Sequence, residues 1–129
     1  MYEGSQIVRT LPKAELQEPI ARKARHEAAK LAKRERDFGR ATELWNELAD
    51  SSEPSFEALE QLAIYYERRE KDYNQAVRIT RSALREIRRA SLLCLVTAER
   101  HAKLSARLQR RLTRVQRKAD QIFSLGRLL

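Results

Sequence analysis

The chain has 129 residues but only one cysteine, three glycines and three prolines. With Cys94 alone, no intramolecular disulfide can form. Its setting, Leu92-Leu93-Cys94-Leu95-Val96, is apolar, so the cysteine is expected to be a small buried hydrophobe rather than a reactive thiol. The scarcity of glycine and proline removes the two strongest breakers of regular structure. No segment shows the sustained period-two alternation of a half-buried strand. The opening "MYEGSQIVRTLPKAE" lacks the apolar core of a secretory signal, and no run reaches the roughly 20 apolar residues of a membrane helix. The cytoplasm is therefore the expected compartment.

Catalytic constellations are missing as well. There is no glycine-rich phosphate loop and no nucleophile elbow. His26 and His101 are far apart, and neither has a second His or Cys at i+3 or i+4, so no metal site is expected. Two-metal phosphoryl chemistry needs converging carboxylates. Here Asp37 and Asp72 read as helix caps, and Glu67, Glu70 and Asp72 are interleaved with Arg68, Arg69 and Lys71. That stretch reads as a solvated, charge-compensated elbow. No catalytic, cofactor-binding or metal-binding residue is expected, and the chain is expected not to be an enzyme.

What remains is helical and basic. Hydrophobic residues make up 42% and charged residues 35%, with 27 Lys and Arg against 18 acids and a net charge of +9. Such a composition specifies an all-α chain of about one domain. Residues 1–17 show no clear helical period and are expected to be a poorly ordered arm, followed by a single helical domain over 18–129. Pro19 suits a first helical turn, and small apolar residues then recur at helical spacing through "PIARKARHEAAKLAKRER". "DFGRATELWNELA" forms a second helix with Leu44, Trp45 and Leu48 on one side. The polar cluster 50–55 is the strongest loop signal. "FEALEQLAIYYERRE" forms a third helix, and a fourth opens at Asp72, with Gln75 in capping-box position.

The two pairs of helices are copies. "RDFGRA" (36–41) aligns with "KDYNQA" (71–76), so Asp37 and Asp72, Phe38 and Tyr73, and Ala41 and Ala76 are each 35 residues apart. A period near 34 is the signature of a tetratricopeptide-type solenoid, in which helix hairpins bury their apolar stripes by stacking. The second unit resembles that pattern through Ala58, Leu59, Leu62, Ala63 and Tyr66 on its first helix and Ala76, Ala83 and Leu84 on its second. It departs in Ala63, Thr80 and Arg88 and in an elbow one residue longer than usual. The expected fold is all-α: two tetratricopeptide-like hairpin repeats, at about 19–50 and 55–90, capped by a long amphipathic C-terminal helix at about 91–125.

More narrowly, "LAKRERDFGRATELWNELA", a serine-rich spacer, "EALEQLAIYYERREKDYNQAVRITRSAL" and "RLQRRLTRVQRKAD" resemble the C-terminal helical region of YprB-like bacterial proteins. In those, a ribonuclease-H-fold exonuclease domain precedes a tetratricopeptide-like tail. The resemblance covers roughly 20–118 and lacks the nuclease domain. It implies a non-catalytic interaction or scaffolding module, accessory to a nucleic-acid-processing enzyme.

Two surfaces are candidates for binding. Glu57, Glu60, Ile64, Glu67 and Arg68 are expected to line a groove for a protein or peptide partner. Arg100, Lys103, Arg107, Arg110, Arg111, Arg114, Arg117 and Lys118 project into one arc of about 120°, with no acid among residues 100–118. Like charges at i+3 and i+4 repel, so this arc needs an explanation beyond solubility. Non-specific contact with the phosphate backbone of DNA or RNA is the alternative function it offers. On the same helix Leu104, Leu108, Leu112, Val115, Ala119, Ile122 and Phe123 form an apolar arc that needs a partner, inside the chain or in another subunit. With only two repeats, either that helix completes the fold or the chain self-associates. A membrane surface is the least favoured partner, since Phe123 is the arc's one aromatic residue.

Overall fold

In the computed structural model, the structure describes the backbone of residues 2–128 and the side chains of residues 18–126. Within that range the chain is all-α, without strands. Its helices are α1 (Tyr2–Arg34), α2 (Phe38–Ala49), α3 (Phe56–Arg68), α4 (Tyr73–Leu92) and α5 (Ala98–Leu128). The arm expected over 1–17 falls outside the described side chains. The chain divides into two compact units, residues 1–48 and 49–129.

The first unit is the pair α1 and α2, with Arg25 Nε of α1 3.5 Å from Glu47 Oε2 of α2. Ala29 and Ala32 of α1 are buried, as are Ala41, Leu44, Trp45 and Leu48 of α2. This is the apolar side read from the sequence. The second unit is three-helical. Leu59 of α3, Ala83 and Ile87 of α4 and Leu108 of α5 form one core cluster. Ala76, Val77 and Val115 form another, with Tyr66, Tyr73 and Leu112 packed against it. These pairings make α4 antiparallel to both α3 and α5. Thr80, one of the departures from the repeat pattern, is fully buried, and its hydroxyl donates to the Ala76 carbonyl at 2.7 Å. Its polar atom is thereby satisfied.

The 35-residue repeat extends to backbone geometry. Asp37 Oδ1 accepts from Arg40 N and Asp72 Oδ1 from Gln75 N, both at 3.1 Å. These caps satisfy amides that have no partner in a helix's first turn. Only half of the expected capping box is formed, because the Gln75 side chain turns to accept from Arg78. The residue before each cap, Arg36 and Lys71, has positive φ. After α1 the amides of Arg36 and Asp37 donate to the carbonyls of Lys33 and Ala32. After α4 those of Cys94 and Leu95 donate to Ser91 and Ala90 in the same way. Both are Schellman closures. The elbow after α3 carries one more residue, and there Asp72 N reaches back to Tyr66 O.

The closure after α4 also corrects the reading of Cys94. Its φ is 59°, it is exposed, and the break it makes lies inside the stretch assigned to the C-terminal helix. The apolar run around it ends one helix, leaving Leu92, Leu93 and Leu95 exposed. A left-handed conformation disfavours any residue with a Cβ, and glycine is the usual occupant. Cys94→Gly should therefore raise stability by about 0.5–1 kcal/mol. Cys94→Ser, which keeps the strain, should leave it unchanged. Urea unfolding of the three chains compares them directly.

Candidate functional site

The buried ion cluster of the second unit starts with Glu67. It stands in the last turn of α3 with only 2% of its surface exposed. An ionised carboxylate is kept in such a place only with charged partners. Here α5 supplies three. Glu67 Oε1 accepts from Arg111 Nη1 and Arg114 Nη2, each at 3.0 Å. Oε2 accepts from Arg114 Nε at 3.0 Å and Lys118 Nζ at 2.8 Å. Four donors fill the roughly four lone-pair sites of the carboxylate, and Arg114 provides two of them as a bidentate fork.

The cations sit at 111, 114 and 118, spaced three and four apart on one side of α5. One cycle earlier, seven residues back on both helices, Arg107 Nε and Nη2 grip Glu60 at 2.6 and 2.9 Å. Equal steps in the same sense mean that α3 and α5 run parallel. At the start of this seam the Arg100 guanidinium lies 5.8 Å from the Phe56 ring centre. At its end Lys118 Nζ lies 5.6 Å from that of Tyr73. Both are cation–π distances.

The electrostatics follow from this geometry. Burial pushes the Glu67 carboxyl up, but hydrogen bonds from Arg114 and Lys118, and their charges, outweigh it and hold its pKa at about 2. Burial and the neighbouring Arg114 push the Arg111 guanidinium below its usual value, against the pull of Glu67. Arg111 Nε is buried without a hydrogen-bond partner, a cost accepted for the contact its Nη1 makes.

The residues singled out in the sequence are thus redistributed. Glu67 is not part of a solvated elbow: the charged run 67–71 reads as surface, but its first member points inward to meet α5. Of the groove residues, Glu60 and Glu67 pair with α5, Ile64 is half-buried, and Glu57 and Arg68 are exposed. The basic arc is split lengthwise. Arg107, Arg111, Arg114 and Lys118 face acids of α3, and Arg100 faces Phe56. Lys103, Arg110 and Arg117 lie along the outer side, where Lys103 pairs with Glu99 of its own helix at 3.0 Å. The acids absent from 100–118 are supplied by α3, forty-odd residues away.

Sequence reading missed a second basic row. Arg78, Arg81, Arg85 and Arg88 of α4 recur at steps of three, four and three residues and are all exposed. The spacing was there to be read, but the row lies inside a segment already assigned to the repeat. Among the described residues no group of three or more His, Cys, Asp or Glu is placed to hold a metal ion. None of the described helices is long and apolar enough to cross a membrane. Comparisons of the chain with protein-family models, with curated proteins and with solved structures give no significant match.

Two outcomes follow for Glu67. Glu67→Gln leaves three cations around a neutral amide, and should cost about 2–4 kcal/mol, a range discounted because Arg114 and Lys118 are partly solvated. Glu57→Gln, on the exposed side, should change stability by no more than about 0.5 kcal/mol. The folded pKa lies below the unfolded one, so the unfolded state binds more protons between them. The stability contributed by Glu67 is therefore complete above pH 4.5 and lost as pH falls towards about 2. Urea unfolding across that window should show a steeper acid limb for the native chain than for Glu67→Gln.

Proposed function

We propose that the protein is a non-catalytic helical scaffold, a tetratricopeptide-like interaction module that assembles through the C-terminal end of α5. The observation that carries this reading is that the apolar stripe of α5 runs on past the residues that pack it against α3 and α4. Leu104, Leu108, Leu112 and Val115 pack against α3 and α4. At Lys118, α5 is already level with Tyr73, the first residue of α4. It continues for ten more residues, about 15 Å. Ile122 is 54% and Leu125 59% exposed there.

The occupant this end fits is the same segment of a second copy. Along residues 100–118 the outer side of α5 presents Arg110 and Arg117, which disfavour pairing of two copies there. Residues 119–126, in contrast, hold Asp120 as their only charge. Gly126 has nothing within 4 Å of where a Cβ would stand, leaving room for close approach of a second helix. In the tetratricopeptide-like reading, α5 occupies the place of the leading helix of a following unit, and pairing of copies supplies the stacking that so short an array lacks.

The resemblance to the tail of YprB-like proteins adds a nucleic-acid-processing enzyme of ribonuclease-H fold as the assembly's client. Phosphate contact through α5 itself is the weaker alternative, because the acids of α3 already neutralise the inner half of its basic arc.

Sedimentation velocity over a concentration series tests the assembly. The native chain should form a dimer, and the Ile122→Glu, Leu125→Glu double variant should be monomeric with an unchanged helical circular-dichroism spectrum. A native chain that stays monomeric throughout, or a variant that dimerises equally well, overturns the reading.

A further inference from the structure

From the arginine row of α4 we infer a second binding surface, one that takes the phosphate backbone of nucleic acid. It is independent of assembly through α5. Most cations of α5 have an acid beside them, but the α4 row does not. Arg78 Nη1 donates to Gln75 Oε1 at 3.4 Å, Arg81 Nη2 to Gln116 Oε1 at 3.2 Å, and Arg85 Nη2 to Ser82 Oγ at 3.0 Å. Each partner is neutral, so it orients a guanidinium without cancelling its charge. Among the described residues no carboxylate pairs with any of the four, Arg88 included. Glu86, the one acid of α4, is paired with Arg89 at 3.1 Å.

The fold holds this row outward. Ala76, Thr80, Ala83, Ile87 and Ala90 bury the opposite side of α4. A helix anchored on that side cannot roll to bring its arginines to the acids of α3, and only Arg81 reaches α5, through the neutral Gln116. Arg78 to Arg88 then form a line of about 15 Å, within an arc of about 80°. Arg81 and Arg117 border one groove, and Arg110 and Arg117 another, so the surface continues onto the outer side of α5. The second unit has 17 of the 27 Lys and Arg but only 10 of the 18 acids.

The chemistry of the row selects its partner. All four residues are arginine, whose planar fork binds phosphate oxygens bidentately. Like charges at i+3, i+4 and i+7 cost stability in the free protein. A partner carrying a regular line of negative charge relieves that cost. One strand of duplex DNA presents a phosphate every 3.4 Å or so along the axis, so the row lies alongside about four of them. The exposed residues of α4 from 73 to 89 include no apolar side chain. This is unlike a helix that lies in a membrane surface, which needs one apolar face to insert. No aromatic residue stands in the row either, so contact is with backbone rather than stacked bases.

The test is the affinity of the full chain for a short labelled DNA duplex of arbitrary sequence, from about 50 to 200 mM salt. With four phosphates neutralised, the log–log slope should be about −3.6. Changing Arg78, Arg81, Arg85 and Arg88 together to Gln should weaken binding at low salt at least ten-fold and bring the slope close to zero. A control that removes the same charge from the first unit (Lys23, Lys33, Arg34 and Arg40 to Gln) should retain both. The control should keep the native thermal midpoint and the α4 variant should melt no lower than the native chain, since the changed side chains are exposed and the α4 changes relieve repulsion. Equal weakening by both variants would make affinity a matter of net charge and overturn the inference. So would an unchanged slope in the α4 variant. Binding of the native chain to phosphatidylserine vesicles but not to duplex would overturn it in favour of a membrane surface.

Discussion

A single carboxylate sets the arrangement of the second unit. Glu67 is too deeply placed to be solvated by water and too highly charged to be left alone, so the chain solvates it with three cations from α5. Removing such a charge from water costs several kcal/mol, recovered only with near-complete hydrogen bonding. Four donors on two oxygens meet that condition. A greasy contact between α3 and α5 would tolerate sliding and rotation. A two-oxygen acceptor with forked donors does not. The hydrophobic clusters beneath supply the driving force, and the ion cluster selects one alignment from those that burial alone would allow.

Much of this was legible beforehand. Helices α2 and α3, the start of α4, the loop at 50–55, the cap at Asp72 and the inward residues of α3 and α4 all follow from local signals: period, caps and breakers. The 35-residue repeat was visible in six-residue words and recurs as matched caps and matched positive φ at Arg36 and Lys71. What failed is non-local. Glu67 stands in a charged run that looks like surface from sequence alone, because the cations that permit its burial lie 44 to 51 residues further on. Cys94 failed for a related reason. Its apolar neighbours argue for burial, but the backbone needs a left-handed residue there to stop α4, and that local constraint overrides their tendency to be buried.

The charge excess changes meaning once the helices are assembled. A basic arc on an isolated α5 looks like an unsatisfied surface waiting for a polyanion. In the folded unit half of it is paired within the protein, and Glu60 and Glu67 play the part of the polyanion. The row on α4, less conspicuous because it is interrupted by core residues, is the one without acidic partners among the described residues. Formal charge along a sequence therefore ranks these two helices in the wrong order. The sign and number of side chains count less than whether an acid from another helix can reach them.

The seam also limits where α5 can come to rest. Sliding α5 by two turns along α3 nearly restores the pattern, because basic residues recur at that interval. Arg100 would then stand opposite Glu60, with Arg107 and Arg111 taking the places of Arg114 and Lys118 at Glu67. The place of Arg111 itself would fall to Leu104, a side chain that cannot donate a hydrogen bond. One buried lone pair would go unanswered, and Leu104 would leave the cluster formed by Leu59, Ala83, Ile87 and Leu108. The leucine thus acts as a key that fits only one setting, ruling out the counterfeit register that the arginines alone would accept.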